Sequence, residues 1–204
     1  MIINLQGRSG AQSKVLSAMF EARKRVFVDL LDWDVPVVDG RFEIDQFDNE
    51  DAQYLVVAEP GGAHLASARL LPTEGPHLLA DLFPFLCDTE VPRGPDIREI
   101  TRFCLDPAPS AARRREVRNR LIAALVDHAL AEGIRTYTGV AELGWFRQII
   151  GFGWNCRPLG LPRPLGSSHI TTLAIDIAAQ TPALLAAGGI YQPAPATVPL
   201  QRAA

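Results

Sequence analysis

Residues 43–48 read EIDQFD, three carboxylates within six residues, interleaved with Ile44 and Phe47. Such a loop either solvates a surface or gathers negative charge for a cationic partner. Two further stretches bear on the choice. On a helix advancing about 100° per residue, Leu16, Met19, Phe20, Phe27 and Leu30 share one stripe, and Arg23 falls in its middle, with Glu21 and Arg25 opposite. A guanidinium cannot shed its proton, so Arg23 either snorkels to water or is buried against anions. In DIREITRFCLDP, Arg98, Glu99 and Arg102 punctuate an apolar strand. Glu99 shares a face of a regular pleat with Thr101 and Phe103, whereas Arg98 shares one with Ile100 and Cys104. Glu99 and Arg102 therefore face opposite ways unless a bulge re-aims one of them, and bulges occur beside active sites. The plainer alternative is an edge strand with polar residues in water.

A third cluster opens a helix. Ser110 is a suitable N-cap, yet the first turns read AARRREVRNR, placing Arg113, Arg114 and Arg115 where the helix dipole is already positive. Val117, Leu121, Leu125 and His128 form the buried stripe, so these arginines ring the exposed start. They are either a solvated basic patch or an anion site for a phosphorylated cofactor or an acidic carrier protein.

The elements that must position these groups follow from periodicity and turn residues. Strands are expected near 2–5, 53–59, 64–71, 97–105, 134–140, 153–158 and 169–177. Helices are expected over about 10–31, 110–132, 142–150 and 181–187, with irregular structure to about 52 and helical or irregular structure over 77–87. The alternation predicts an α/β sandwich around a mixed sheet. The tail from Gln192, QPAPATVPLQRAA, is expected to pack loosely.

Composition narrows the function classes. With 204 residues, 48% hydrophobic and 21% charged, the chain is expected to be a single globular domain over 1–204. A net charge of -3 argues against general nucleic-acid binding. Cys87, Cys104 and Cys156 form no CxxC pair, and His64, His77, His128 and His169 are scattered, so neither a disulfide framework nor a metal site is expected. No run approaches the ~18–20 apolar residues of a membrane span, and MIINLQGRSG is too short and polar for a secretory signal. A cytoplasmic location is the expectation.

Together these residues resemble the acyl-homoserine lactone synthases, the autoinducer synthases of bacterial quorum sensing. The pattern begins with Arg23, Phe27 and Trp33 in RKRVF and LDWDV, and continues with Asp45 and Asp48 in EIDQFD and Arg69 in SARLLPT. Phe83 in DLFPFL follows, then Glu99 and Arg102 in REITRF. The match spans about residues 20–110 and thins beyond Leu105 to general shape. It implies an N-acetyltransferase-like fold, a three-layer αβα sandwich around a mixed sheet with a V-shaped split. It also implies an acyltransferase that moves an acyl chain from acyl-carrier protein or acyl-coenzyme A to the amine of S-adenosylmethionine. The product then closes to a lactone and releases methylthioadenosine, with S-adenosylmethionine as co-substrate and no tightly bound cofactor.

The residue types suit that chemistry. Asp45 and Asp48 offer negative charge to sulfonium and ammonium groups. Arg23, Arg69 and Arg102 are expected to pair with those aspartates and Glu99, or with the substrate carboxylate. Phe27 and Trp33 would cover the site and attract the sulfonium. Aminolysis of a thioester needs a neutral amine, so Glu99 is the candidate general base. By analogy with the fold, a backbone N–H near Phe103 is the candidate oxyanion donor. Phe83, Phe103, Trp145, Phe146, Ile149 and Phe152 are candidate walls of an acyl tunnel, although such spacings also describe plain core. A general N-acetyltransferase is the nearest alternative, but its diphosphate-binding turn is glycine-rich and LDPAPSAA here has no glycine. A non-catalytic sensor of S-adenosylmethionine or acyl carriers is the other.

Overall fold

The computed structural model of the chain describes residues 1–7, 13–166 and 168–191. The tail from Gln192 and the expected helix start at 10–12 lie outside the described residues. In chain order the elements are β1 (Ile2–Gln6), α1 (Ser13–Arg23), a π-helical stretch (Lys24–Leu30), β2 (Val37–Val38), β3 (Phe42–Glu43), β4 (Gln53–Ala58), β5 (His64–Pro72), α2 (Leu78–Leu82), a 3-10 turn (Pro84–Leu86), β6 (Ile97–Leu105), α3 (Ala111–Glu132), β7 (Thr136–Glu142), α4 (Leu143–Ile150), β8 (Asn155–Pro158), β9 (Arg163–Leu165), β10 (Ser168–Asp176) and α5 (Thr181–Ala187). The fold is α/β with a mixed sheet and helices, as the alternation predicts. It forms two compact units interleaved in sequence: Met1–Arg69 with Arg102–Ala124, and Leu70–Thr101 with the described residues from Leu125 onward. Strands β5 and β6 and helix α3 each contribute residues to both units.

In the first unit the strand order is β1-β4-β5-β6. Strand β1 runs antiparallel to β4, with Ile2 opposite Val57 and Gln6 opposite Gln53. Strands β4 and β5 are buried along almost their whole length, the pattern of strands covered on both faces. Helix α1 buries Leu16, Met19 and Phe20, as its stripe requires. Leu30, expected on the same stripe, is 61% exposed. The reason is the change of pitch after Arg23. The Leu31 N–H donates to the Val26 carbonyl, five residues back, at 3.0 Å, and this wider turn advances each residue by less than an α-helix does. By Leu30 the accumulated shortfall has rotated the side chain outward, while Val26 and Phe27 stay buried.

The second unit orders its strands β5-β6-β7-β10-β8, with β9 added to β10. Strands β6 and β7 are parallel, in register from Ile97↔Thr136 to Ile100↔Gly139. Strand β10 is antiparallel to β7, β8 and β9. The short β9 was not expected, and β7 begins two residues later than predicted because Ile134 and Arg135 complete the turn after α3. The Tyr137 hydroxyl donates to the Leu125 carbonyl at 2.9 Å, tying the end of α3 to the strand that follows it. Gly160 has no room for a side chain: a Cβ there would lie 2.2 Å from the Leu86 carbonyl oxygen. Among the described residues no helix is long and apolar enough to cross a membrane.

His64, a buried titratable residue of the first unit, bears on acid stability. His64 opens β5, buried, with Nε2 2.9 Å from Ser67 Oγ and Nδ1 in no hydrogen bond among the described residues. Burial, reinforced by Arg25 and Arg23 against the opposing pull of Asp106, lowers its pKa from 6.5 to about 4. The unfolded side chain takes up a proton near 6.5 and the folded one only near 4, so the unfolded state binds more protons between these values. Stability therefore falls as pH drops through that window, by on the order of 3 kcal/mol. Urea titrations at pH 7 and pH 4 should show the native chain losing that much more stability than His64→Gln; parallel losses would remove His64 from the acid sensitivity.

Candidate active site

Three local devices of the first unit set up the charged cluster. Strands β2 and β3 form a hairpin whose turn has Asp39 and Gly40 both at positive φ, 52° and 64°. This is the turn geometry that matches strand twist and that Asp-Gly favours, and it delivers Glu43 to the interior. The next loop is held by its own aspartates. The Phe47 N–H donates to Asp45 Oδ1 at 2.9 Å, and the Asp45 N–H donates to Asp48 Oδ2 at 2.9 Å. Phe47 anchors the loop in the core, whereas Ile44 is half-buried. The third device is in β6, where Arg102 has φ of 48°. A residue other than glycine seldom adopts this conformation, and it interrupts the regular pleat of β6 at Arg102.

The result is a closed ionic lattice. Arg23 Nε donates to Glu43 Oε2 at 2.5 Å, and its two terminal nitrogens donate to the two oxygens of Asp48, each at 2.8 Å. Arg69 forks onto Asp45 at 2.5 and 3.0 Å and lies 2.9 Å from Asp48 Oδ1. Arg102 closes the ring, donating to Glu43 Oε1 at 3.1 and 2.9 Å and to Asp45 Oδ2 at 2.8 Å. The Tyr54 hydroxyl donates to Asp48 Oδ1 at 3.0 Å. Three guanidiniums meet three carboxylates, so the lattice is neutral as a whole. Arg23, Glu43, Asp48 and Arg69 are sealed, while the Arg102 and Asp45 side chains keep a small exposed edge, 7% and 4%.

Electrostatics follow from burial set against pairing. Burial alone would lower the Arg23 pKa, but Asp48 and Glu43 outweigh it and raise it. Arg69 is raised in the same way, against burial, by Asp48 and Asp45. Burial would raise the Asp48 pKa, yet Arg23 and then Arg69 hold it well below the usual carboxylate range. Burial and the neighbouring Asp48 charge push Tyr54 above its ordinary value. Each ion is costly alone and tolerable only with its partners.

An aromatic pair borders the lattice. Phe27 and Trp33 stack with ring centroids 4.7 Å apart and planes 16° from parallel. The Trp33 N–H donates to the Phe27 carbonyl at 2.8 Å, which fixes the pair beyond the π-helical turn. The Arg102 guanidinium carbon lies 5.7 Å from the Phe27 centroid and 6.0 Å from that of Trp33, within cation–π range.

The other expected residues are placed as follows. Phe103 is half-buried beside Arg102 in β6. In the second unit Glu99 is fully buried and its Oε1 accepts the Leu79 N–H at 2.9 Å. Phe83 is half-buried, and its ring lies 6.2 Å from Phe85. Phe146 and Ile149 are the buried face of α4. Trp145 meets Phe152 edge-on at 5.8 Å, and Phe152 meets Trp154 at 5.9 Å. At the start of α3, Arg113 is tied to Glu116 at 2.8 Å and Arg114 donates to the Pro107 carbonyl at 2.9 Å, and Arg114 and Arg115 are both exposed. Two lattice members were absent from the sequence-derived set, Glu43 and Tyr54. The Asp39-Gly40 pair was the available signal for Glu43, because a hairpin turn there fixes which way β3 faces.

Removing one lattice member leaves buried charge without its counter-ion. Arg23→Met should cost about 3–5 kcal/mol in urea unfolding, against about 0.5 kcal/mol or less for Arg115→Gln at the surface. Equal effects would show that the lattice does not stabilise the fold.

The chain matches the family model "Autoinducer synthase" over residues 8–183. It is 34% identical over 190 residues to the acyl-homoserine-lactone synthase of Ralstonia nicotianae, covering 91% of this chain and 93% of that protein. Among solved structures it is similar to the CoA-dependent acyl-homoserine lactone synthase BjaI, solved with SAM and isopentyl-CoA, at TM-score 0.83 and 28% identity, covering 96% of this chain and 92% of that one. A putative N-acetyltransferase from Lactobacillus plantarum shares the fold at TM-score 0.59 and 16% identity, covering 87% of this chain and 99% of that one. With a buried lattice of the expected arginines and aspartates, and with similarity running through nearly the whole chain, this protein belongs to the autoinducer synthase family, the acyl-homoserine-lactone synthases.

Proposed function

We propose that this chain acylates the amine of S-adenosylmethionine from an acyl thioester on Glu99, Arg102 and the lattice around Arg23, and that the acylated product closes to the homoserine lactone with release of methylthioadenosine. The observation that carries the reading is the neutral lattice of Arg23, Arg69 and Arg102 with Glu43, Asp45 and Asp48, bordered by the Phe27–Trp33 stack. Its sealed members are a rigid frame. Its open edge, Arg102 and Asp45, is where a zwitterionic amino-acid end can be read, with the guanidinium for the carboxylate and the aspartate for the ammonium. Phe27 and Trp33 exclude water and offer π faces to the sulfonium.

Glu99 takes the proton that the amine must lose before it attacks the thioester carbonyl. The hydrogen bond from Leu79 N–H keeps that carboxylate in one orientation. The tetrahedral oxyanion needs a donor, and the backbone N–H near Phe103 is assigned that role. Lactonisation is intramolecular, so holding the carboxylate against the carbon that bears the sulfonium supplies most of what it requires. Phe83, Trp145, Phe146 and Ile149 line the path of the acyl chain in this reading. The donor is anionic in either form, coenzyme A or an acyl-carrier protein, and Arg113, Arg114 and Arg115 at the start of α3 are the cations assigned to meet it. The relative solved with isopentyl-CoA supports the first form. A cytoplasmic location suits three free cysteines.

The decisive assay supplies S-adenosylmethionine with a panel of acyl-coenzyme A and acyl-carrier-protein donors and follows methylthioadenosine and lactone by mass. Absence of both products with every donor would sink the assignment. Glu99→Gln should lower kcat by roughly 10²-fold or more while the KM for S-adenosylmethionine changes little; a matched rise in KM would reassign Glu99 to binding. Arg115→Glu should raise the KM for the acyl donor several-fold at low ionic strength and less in high salt, leaving the other substrate unaffected. An unchanged donor KM would leave the basic patch outside the reaction.

A further inference from the structure

In the second unit, the connection from Thr73 to Leu79 is laced to the segment that leads into Glu99. At one end the Thr73 hydroxyl lies 3.2 Å from the Gly94 carbonyl and 3.1 Å from the Ile97 carbonyl, and it accepts the Gly94 N–H at 3.1 Å. At the other end the Leu79 N–H donates to Glu99 Oε1 at 2.9 Å. Between them the Gly75 carbonyl receives two donors. Arg93 Nη1 lies 3.2 Å away and also reaches the Thr73 carbonyl at 3.2 Å, while His77 Nδ1 is 2.9 Å from the Gly75 oxygen. A carbonyl only accepts, so His77 carries its proton on Nδ1 and its Nε2 holds a bare lone pair. That nitrogen is buried and makes no hydrogen bond among the described residues. Thr73, His77 and Glu99 are all fully buried, so this lacing lies in the interior, where a hydrogen bond fixes geometry more firmly than at the surface.

We propose that His77 is a positioning residue for Glu99: its Nδ1–H, by holding the Gly75 carbonyl, sets the backbone of 75–79 so that the Leu79 N–H meets the Glu99 carboxylate. The inference rests on the reading of Glu99 as the general base. His77 touches no reacting atom in this scheme. It acts two residues upstream of the amide that orients the base, and its imidazole stays neutral because burial lowers its pKa, with Arg93 adding to that effect against the Gly75 hydrogen bond and Asp81. Loosening the 75–79 backbone lets the carboxylate turn away from the amine without altering how S-adenosylmethionine is held. The signature is therefore a fall in kcat with KM unchanged.

The test compares His77→Asn, His77→Gln and His77→Ala in the full-length enzyme, with Glu99→Gln alongside and urea midpoints as the folding control. Asparagine places an N–H near the position of Nδ1, whereas glutamine places one near Nε2. The expectation is kcat within about threefold of the parent for His77→Asn and a roughly tenfold loss for His77→Gln and His77→Ala, with the KM for S-adenosylmethionine unchanged. If glutamine serves as well as asparagine, or KM rises in step with the loss of kcat, the positioning role is overturned. The same holds if all three variants match the parent while Glu99→Gln is slow. A Glu99→Gln variant as fast as the parent would instead defeat the reading of Glu99, a result separate from any of these. Should His77→Ala fail to fold, the asparagine–glutamine contrast still decides.

Discussion

An arginine cannot be neutralised, and that constraint organises the first unit. Once Arg23 turns inward on α1, its charge has to be matched at the donor edges of the guanidinium, and Glu43 and Asp48 do so. Those acids take further donors, Arg69 and Tyr54 at Asp48 and Arg102 at Glu43. The requirement propagates until the lattice closes and its charge sums to zero. Interior ion pairs tend to break even against apolar packing, so such a lattice is better explained by what it presents than by the stability it adds.

Local backbone departures serve that closure. The π-helical turn brings Phe27 and Trp33 together, at the expense of exposing Leu30. The Asp39-Gly40 turn aims Glu43 inward, and the left-handed conformation at Arg102 turns its side chain toward the acids. Residues held in sparse backbone regions persist where their surroundings over-determine them. At Arg102 the surroundings are specific: two carboxylates in hydrogen-bond contact and two aromatic faces within 6.0 Å. Under the proposed function, this strained residue is also the one that meets the substrate carboxylate.

The two chemical tasks make different demands. In the proposed reaction an amino-acid zwitterion calls for fixed charges of both signs at a water-poor edge, and the neutral lattice offers Arg102 and Asp45 at its rim for that task. The carboxylate that accepts the proton in that reaction needs a controlled orientation, and the Leu79 N–H on Glu99 Oε1 contributes to that control. In the proposed scheme Glu99 is the base, Glu43 and Asp48 are structural counter-ions, and Asp45 at the rim meets the ammonium.

Much of this was legible before any coordinates. Charge on an apolar stripe at Arg23, carboxylates packed into EIDQFD, and a strand with Glu99 and Arg102 at odd spacing are local patterns. Each breaks a rule of periodicity that can be checked in the sequence, and together they matched a family motif. The strand at 97–105 and the helix at 181–187 were read correctly because their punctuation is local too. What only the tertiary structure decided was partner choice. Glu43 meets Arg102 across 59 residues and Arg69 meets Asp45 across 24, and no periodicity encodes which acid faces which base. The change of pitch after Arg23 was equally hidden, since a π turn is selected by what the rotated side chains pack against, not by the propensity of Lys24–Leu30 itself.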